Sequence, residues 1–242
     1  MSRDPVSARG GRSQESFDPG APRAGADTIA FYLDSANLDD VSPLLSAGLA
    51  SGVTSNPEIL VRDGHRGSDR ARLYSQFEAA GAGEIMMQAC GPTLDALQRD
   101  ALSLAELGER IVVKVPASPA GFEVGADLVA REVPILVTAV YTVAQAAIAV
   151  SIGATYVTPY AGRLTDAGLD AIELIERMQR TVDGGRSRLL VASVRSVAVA
   201  ESLVERGVDR LTVGVPLFHR LMSDARSEAA VEAFERAASD NA

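Results

Sequence analysis

Short runs of apolar and β-branched residues recur along the chain, and each is followed by a longer segment whose apolar residues return every three or four positions. The eight short runs span residues 29–34, 52–56, 84–89, 111–116, 134–140, 156–160, 189–194 and 210–215. Runs of this kind predict strands, and the longer periodic segments predict helices. The clearest helical segments span residues 94–107, 142–152, 169–178 and 197–206. Gly108, Gly153 and Gly207 follow three of them, where glycine commonly ends a helix.

Strands that alternate with helices predict parallel βαβ units. Eight such units within residues 28–242 predict a single α/β domain, a (β/α)8 TIM barrel near the lower end of the size range of that fold. A doubly wound open sheet is the alternative, but it usually carries a glycine-rich phosphate loop after its first strand. The segment FYLDSANLDD has no G-x-G-x-x-G motif, and the sequence contains no Walker A motif.

Residues 1–27 differ from the rest of the chain. They are rich in Gly, Pro, Ser, Arg and Asp, and they show no apolar periodicity. Nothing in them resembles the apolar centre of a secretory signal. This composition predicts a disordered N-terminal tail.

Composition and charge exclude several classes of protein. Apolar residues make up 47% of the chain and charged residues 23%, as in soluble globular proteins. No stretch approaches the roughly 18–20 apolar residues of a membrane helix, and a net charge of −9 argues against nucleic-acid binding. The chain has one cysteine, Cys90, and two histidines, His65 and His219. We therefore expect a cytoplasmic protein with no disulfide, no metal site and no membrane or nucleic-acid partner.

The distribution of basic residues draws attention to one position. Of the 23 basic residues, 22 are arginine and one, Lys114, is lysine. Arginine keeps its proton at any usable pH, whereas a buried lysine can lose its proton and become a nucleophile. Chance in an organism whose proteins are generally poor in lysine is the alternative explanation. Strand alternation places Lys114 on one face with Val112 and Pro116, and with no acidic neighbour in the strand we expect it inside the barrel with a lowered pKa.

Polar side chains follow most of the predicted strands, at the end where this fold builds its active site. They are Asp34, Thr54, Ser55, Asn56, Gln88, Thr138, Tyr141, Thr158, Tyr160, Arg163, Ser193, Arg195 and Thr212. Some of them, such as Asp34, Ser55 and Asn56, equally suit the N-cap of the next helix. Capping does not account for Lys114, which lies within an apolar strand.

Six motifs occur in order between residues 30 and 240. They are FYLDSAN, GVTSNPEIL, IVVKVPA, TAVYTVAQA, GATYVTPYAGRL and VASVR. Together they resemble the transaldolase family, and within it the small fructose-6-phosphate aldolase-like branch. The resemblance implies a (β/α)8 class I aldolase that needs no metal or organic cofactor. Such an enzyme cleaves or transfers a three-carbon ketone unit of a sugar phosphate through a lysine Schiff base.

The resemblance also implies roles for residues that act on the ketose. Lys114 would form the imine with the ketose carbonyl, and Asp34 would transfer protons and hold the sugar hydroxyls. Thr54 and Asn56 would lie beside the ketose hydroxyls, with Asn56 close to the imine. Thr158 would also contact the substrate.

Two further groups follow from the same resemblance. In the aldolase branch, a catalytic water is held by three residues that match Gln88, Thr138 and Tyr160. The family's phosphate-binding group is matched by Arg163, Ser193 and Arg195. Guanidinium forks suit phosphate oxygens, and a hydroxyl adds a further hydrogen-bond donor.

The motifs disagree on the activity within the family. Gln88 and Tyr160 favour the aldolase branch, because transaldolases usually have Glu and Phe at these positions. Thr158 stands where that branch often has Ala and transaldolases have Ser, and the AGRL segment resembles the transaldolase version. We expect a lyase that releases dihydroxyacetone, with a transaldolase as the alternative. A non-catalytic barrel that binds sugar phosphates is a third hypothesis, which Lys114 argues against.

The last helical segment predicts a contact between subunits. It carries Ala230, Val231, Phe234 and Ala238 on one stripe. The family's last helix often packs on a neighbouring subunit, so we expect a homo-oligomer, a pentamer or decamer.

Overall fold

The computed structural model describes residues 29–240, so the predicted disordered tail over residues 1–27 lies outside the described range. Within that range, the strands are β1 Ala30–Asp34, β2 Gly52–Thr54, β3 Glu84–Gln88, β4 Ile111–Pro116, β5 Ile135–Val140, β6 Tyr156–Pro159, β7 Arg188–Leu189 and β8 Arg210–Val213. All pairings are parallel, in the order β7-β6-β5-β4-β3-β2-β1-β8. A parallel bridge between Val191 and Leu211 joins the two ends of the sheet. The predicted (β/α)8 barrel is therefore confirmed.

Helices follow the strands around the barrel. They are α1 Leu38–Ser46, α2 Pro57–Arg62, α3 Arg70–Ala79, α4 Leu94–Ala105, α5 Pro119–Ala130, α6 Val143–Ser151, α7 Ala161–Asp166, α8 Ala171–Val182, α9 Val197–Glu205, α10 Val215–Met222 and α11 Ala225–Ser239, with a short 3₁₀ turn over Gly67–Asp69. In most of these helices, a polar side chain at the N-cap accepts a hydrogen bond from a backbone N–H group of the first turn. Thr93 does so for α4 and Ser196 for α9. The capping residues fix where each loop ends and its helix begins.

The alternation of β4 separates two buried regions. Ile111, Val113 and Val115 face outward into the apolar layer between the strands and the helices. Val112 faces inward, where it packs in the barrel interior with Tyr32, Met86, Leu136, Tyr156 and Leu190. Lys114 shares the inward face with Val112 and lies one pleat nearer the carboxyl end. The predicted inward orientation of the lysine follows from this packing.

Strand β7 is shorter than the sequence predicted. The expected run was 189–194, but the ladder with β6 covers Arg188–Leu189 alone. Beyond it, Val191 pairs with β8, and Ala192 pairs with Tyr160. Ser193 has a φ of 57°, a left-handed conformation that lies outside the regular range of a strand. The expected strand is therefore wrong in its second half, because the chain turns there and presents Ser193 at the barrel mouth.

Candidate active site

A cavity of 240 Å³ opens at the carboxyl ends of the barrel strands. Among its lining residues are six that the sequence singled out: Asp34, Asn56, Lys114, Tyr160, Arg163 and Ser193. They come from β1, β4 and the segments that follow β2, β6 and β7. The parallel barrel brings these positions together because all of its strands point the same way.

Lys114 lies at the inner wall of this cavity and is 4% exposed. Its Nζ donates a hydrogen bond of 2.9 Å to the backbone carbonyl of Ser55. Burial lowers the pKa of this amine, and the charge of Asp34 opposes the shift only in part. The lowered pKa makes the neutral amine, the form of lysine that attacks a carbonyl, more accessible than in a solvent-exposed lysine.

Asp34 also lines the cavity, at the end of β1. The Thr54 hydroxyl donates to Asp34 Oδ1 at 2.6 Å and lies 2.7 Å from the Thr212 hydroxyl. Because the Thr54 proton is given to the carboxylate, Thr212 donates to Thr54. The resulting chain of hydroxyls holds the Asp34 carboxylate in place where it lines the cavity.

Tyr160 and Thr138 form a second polar pair, on the β5–β6 side of the barrel. Their hydroxyl oxygens are 2.6 Å apart. Burial raises the pKa of Tyr160, so its phenol is protonated at neutral pH. Thr138 is placed beside a bulge, where the register between β5 and β6 shifts and Ala139 has a φ of 57°. Tyr160 lines the cavity whereas Thr138 does not, so Thr138 contacts the site through the Tyr160 hydroxyl.

Two other predicted residues lie close to this region. Gln88 pairs in register with Lys114, and Thr158 with Thr138. Thr158 is 2% exposed, and its hydroxyl is among the buried side-chain oxygens that have no hydrogen-bond partner within the described chain. Neither Gln88 nor Thr158 lines the cavity directly.

Asn56 is the N-cap of a helix and also lines the cavity. Its Oδ1 accepts a hydrogen bond of 2.9 Å from the backbone N–H of Ile59 and so caps α2. The capping explanation given from the sequence is therefore confirmed for this residue. Asn56 also lines the cavity, and its contact with the substrate stays a prediction.

The predicted phosphate-binding residues are not all brought together. Arg163 and Ser193 line the cavity, whereas Arg195 does not. The Arg195 guanidinium makes two hydrogen bonds to Asp166, at 2.7 and 2.8 Å. Binding of one phosphate by all three residues would require Arg195 to turn toward the cavity from this ion pair.

Sequence reasoning missed four residues of the lining: Glu58, Ile59, Arg62 and Ala192. Glu58 and Arg62 belong to α2, the helix that Asn56 caps. Charged positions on a short helix that starts at a barrel strand's carboxyl end could have identified both. Ala192 carries no polar group, so no chemical pattern marked it.

Residues 29–240, the described range, contain neither a candidate membrane span nor a candidate metal cluster. No helix in this range is long and apolar enough to cross a membrane. No group of three or more His, Cys, Asp or Glu side chains there is arranged to hold a metal ion.

Comparisons with known proteins agree on one family. The family model described as transaldolase/fructose-6-phosphate aldolase matches residues 31–242. A probable transaldolase of Streptococcus pyogenes serotype M5 (strain Manfredo) is 31% identical over 195 residues, which cover 80% of this chain and 90% of the relative. The proteins of the same name from serotypes M49 (strain NZ131) and M1 match with the same identity and coverage. The similarity thus spans the whole barrel.

Proposed function

Because this chain belongs to the transaldolase/fructose-6-phosphate aldolase family of enzymes, we propose that it cleaves a ketose phosphate through a Schiff base on Lys114. The products are dihydroxyacetone and an aldose phosphate. The observation that carries this proposal is the state of the lysine. Its amine is buried, its pKa is lowered, and its described hydrogen-bond partner is a neutral backbone carbonyl 2.9 Å away.

The surrounding groups suit each step of such a reaction. The neutral Nζ of Lys114 adds to the ketose carbonyl, and loss of water gives the imine. Asp34 then takes the proton of the neighbouring sugar hydroxyl as the carbon–carbon bond breaks, and the aldose leaves. The remaining carbon accepts a proton supplied through the hydroxyls of Tyr160 and Thr138. Hydrolysis of the new imine frees dihydroxyacetone and restores the amine.

The positive charge at the mouth supports a phosphorylated substrate. The Arg163 guanidinium lines the cavity and stacks over the Tyr160 ring, 5.0 Å from the ring centroid. Ser193 adds a hydroxyl at the same edge of the cavity. A fork of guanidinium N–H groups recognises phosphate oxygens well.

Transfer of the three-carbon unit to an aldose phosphate is the second candidate. It is favoured by the names of the curated relatives, which are probable transaldolases. The two activities share every step up to release of the first aldose. They differ in what the carbon left on Lys114 does next: it takes up a proton in the lyase reaction, and it attacks an acceptor aldehyde in the transfer reaction.

Trapping of the intermediate tests the covalent mechanism. Borohydride treatment in the presence of fructose 6-phosphate is expected to attach one reduced three-carbon unit to Lys114, detected by peptide mass spectrometry. Lys114→Arg should not be labelled or active, because arginine keeps the charge but cannot attack a carbonyl. An active Lys114→Arg enzyme would refute the mechanism. Assays with and without an added aldose phosphate distinguish lyase from transferase.

A further inference from the structure

An ion pair spans the mouth of the cavity. The Arg163 guanidinium donates a hydrogen bond of 2.9 Å to Glu58 Oε2, and both side chains line the cavity. The two residues are 105 positions apart and belong to different helices, α7 and α2. The guanidinium expected to receive a phosphate is therefore held by a carboxylate of the protein.

Other contacts hold Arg163 in place beside that carboxylate. The Tyr160 ring covers one side of the guanidinium. Burial lowers the pKa of Arg163, but a hydrogen bond with the Tyr141 hydroxyl and the charge of Glu58 outweigh this and raise it. Arg163 is thus a positioned cation whose Nη2 donates to the Glu58 carboxylate.

Local structure alone does not require Glu58 to reach Arg163. Glu58 lies in the first turn of α2, where a carboxylate is favoured by the helix dipole even when its side chain points to water. Its side chain is 77% exposed and that of Arg163 is 46% exposed. Exposed pairs of this kind are weak and easily separated.

We infer that Glu58 is a specificity-determining residue: it competes with substrate phosphate for the Arg163 guanidinium and lowers the preference for phosphorylated over unphosphorylated sugars. The inference rests on the proposed ketose-phosphate site. A phosphate that enters must displace the Glu58 carboxylate and then lie near its negative charge. An unphosphorylated sugar does not have to displace the Glu58 carboxylate and is not repelled by its negative charge.

Calorimetric titration with inorganic phosphate tests this directly and needs no turnover. Glu58→Gln keeps the size of the side chain and removes its charge, so we expect phosphate to bind about 2- to 5-fold more tightly. Glu176→Gln is the matched control, because it neutralises an exposed glutamate paired with Arg180 on the remote helix α8. The Glu58→Gln/Arg163→Ala double variant should lose the gain, since the receiving guanidinium is then absent.

Substrate selectivity gives the second measurement. The ratio of kcat/KM for fructose 6-phosphate to kcat/KM for fructose should rise by a similar factor in Glu58→Gln and in Glu58→Ser. A purely structural role in α2 would lower the melting temperature and leave this ratio unchanged.

The possible results separate the two proposals. Unchanged or weaker phosphate binding in Glu58→Gln, or an equal gain in Glu176→Gln, would overturn the inference even if the enzyme cleaves fructose 6-phosphate. Tighter phosphate binding that depends on Arg163, with no cleavage of fructose 6-phosphate, would support the inference and refute the proposed substrate. No binding of phosphate by any variant would overturn the inference.

Discussion

At the scale of single residues, the proposed chemistry depends on the buried amine of Lys114. Lys114 shares the inward face of β4 with Val112, and the barrel interior beneath it is filled by side chains. Keeping an amine there costs stability whenever it is charged, because its described hydrogen-bond partner is a neutral carbonyl. Burial of the Lys114 amine therefore has two effects: it lowers the pKa of the amine, and it reduces the stability of the fold when the amine is charged.

This cost predicts a pH dependence of stability. The folded state holds the Lys114 proton less tightly than the unfolded chain, whose pKa is near the ordinary value of 10.5. Between the lowered pKa and that value, the unfolded chain binds more protons, so the free energy of unfolding rises with pH. We expect Lys114→Met to be more stable than the wild type near neutral pH, with a gap that narrows as pH rises. Urea unfolding across this pH range would measure the gap, and a constant gap would contradict the explanation.

Tyr160 carries the prediction that separates lyase from transferase. Tyr160→Phe removes the hydroxyl 2.6 Å from Thr138 but keeps the ring beneath Arg163. Proton transfer by a positioned group contributes about 10²–10⁴-fold to a rate, so release of free dihydroxyacetone should fall by a factor in that range. Transfer to an added aldose phosphate should persist, because the acceptor carbonyl replaces the proton.

Thr138→Val is a second test of the same prediction. It removes the other hydroxyl of the pair and should have the same selective effect. A parallel fall of both activities together with the melting temperature would show that the Tyr160 hydroxyl serves stability alone.

At the scale of secondary-structure elements, the parts of the site that follow from local periodicity were predictable from the sequence. Strand alternation was enough to place Lys114 inside the barrel, and strand ends identified most of the lining. The end of β7 was not predictable, because the left-handed backbone of Ser193 has no signature in residue preferences. The Arg163–Glu58 and Arg195–Asp166 pairs also depend on how separate loops meet in space.

The start of α7 is a place where backbone packing controls the site. A Cβ at Gly162 would lie 2.5 Å from Arg195 Nε and 2.7 Å from the Ser193 carbonyl oxygen. Gly162→Ala must therefore push α7 away from the segment that follows β7 and contains Ser193 and Arg195. We expect a loss of about 1–3 kcal/mol in the free energy of unfolding and a several-fold rise in KM for phosphorylated substrates. Gly67→Ala, where the added methyl group meets open space, should leave both the unfolding transition and KM near their wild-type values.

At the scale of the whole molecule, most described elements bury side chains in the barrel core, but α11 does not. The interior layer and the outer layer bury side chains from all strands and from α1 to α10. None of the residues of α11 is buried, although the helix spans Ala225–Ser239. Phe234 is 71% exposed and Val231 51% exposed on it. A helix of this length gains little stability by itself in water, so a partner surface is expected to support it.

The final prediction is that α11 mediates the association of subunits. Phe234→Asp places a charge on the apolar stripe, and burial of a phenylalanine stabilises a contact by about 1.5–3 kcal/mol. Sedimentation velocity should therefore show smaller species than the wild type, with association weakened about tenfold or more. Leu49→Asp, which adds the same charge at another exposed apolar position, is the matched control and should leave the species unchanged. Since α11 lies outside the cavity lining, activity per subunit should survive dissociation. A wild-type chain that sediments as a monomer would refute the prediction and leave the exposed stripe without an explanation.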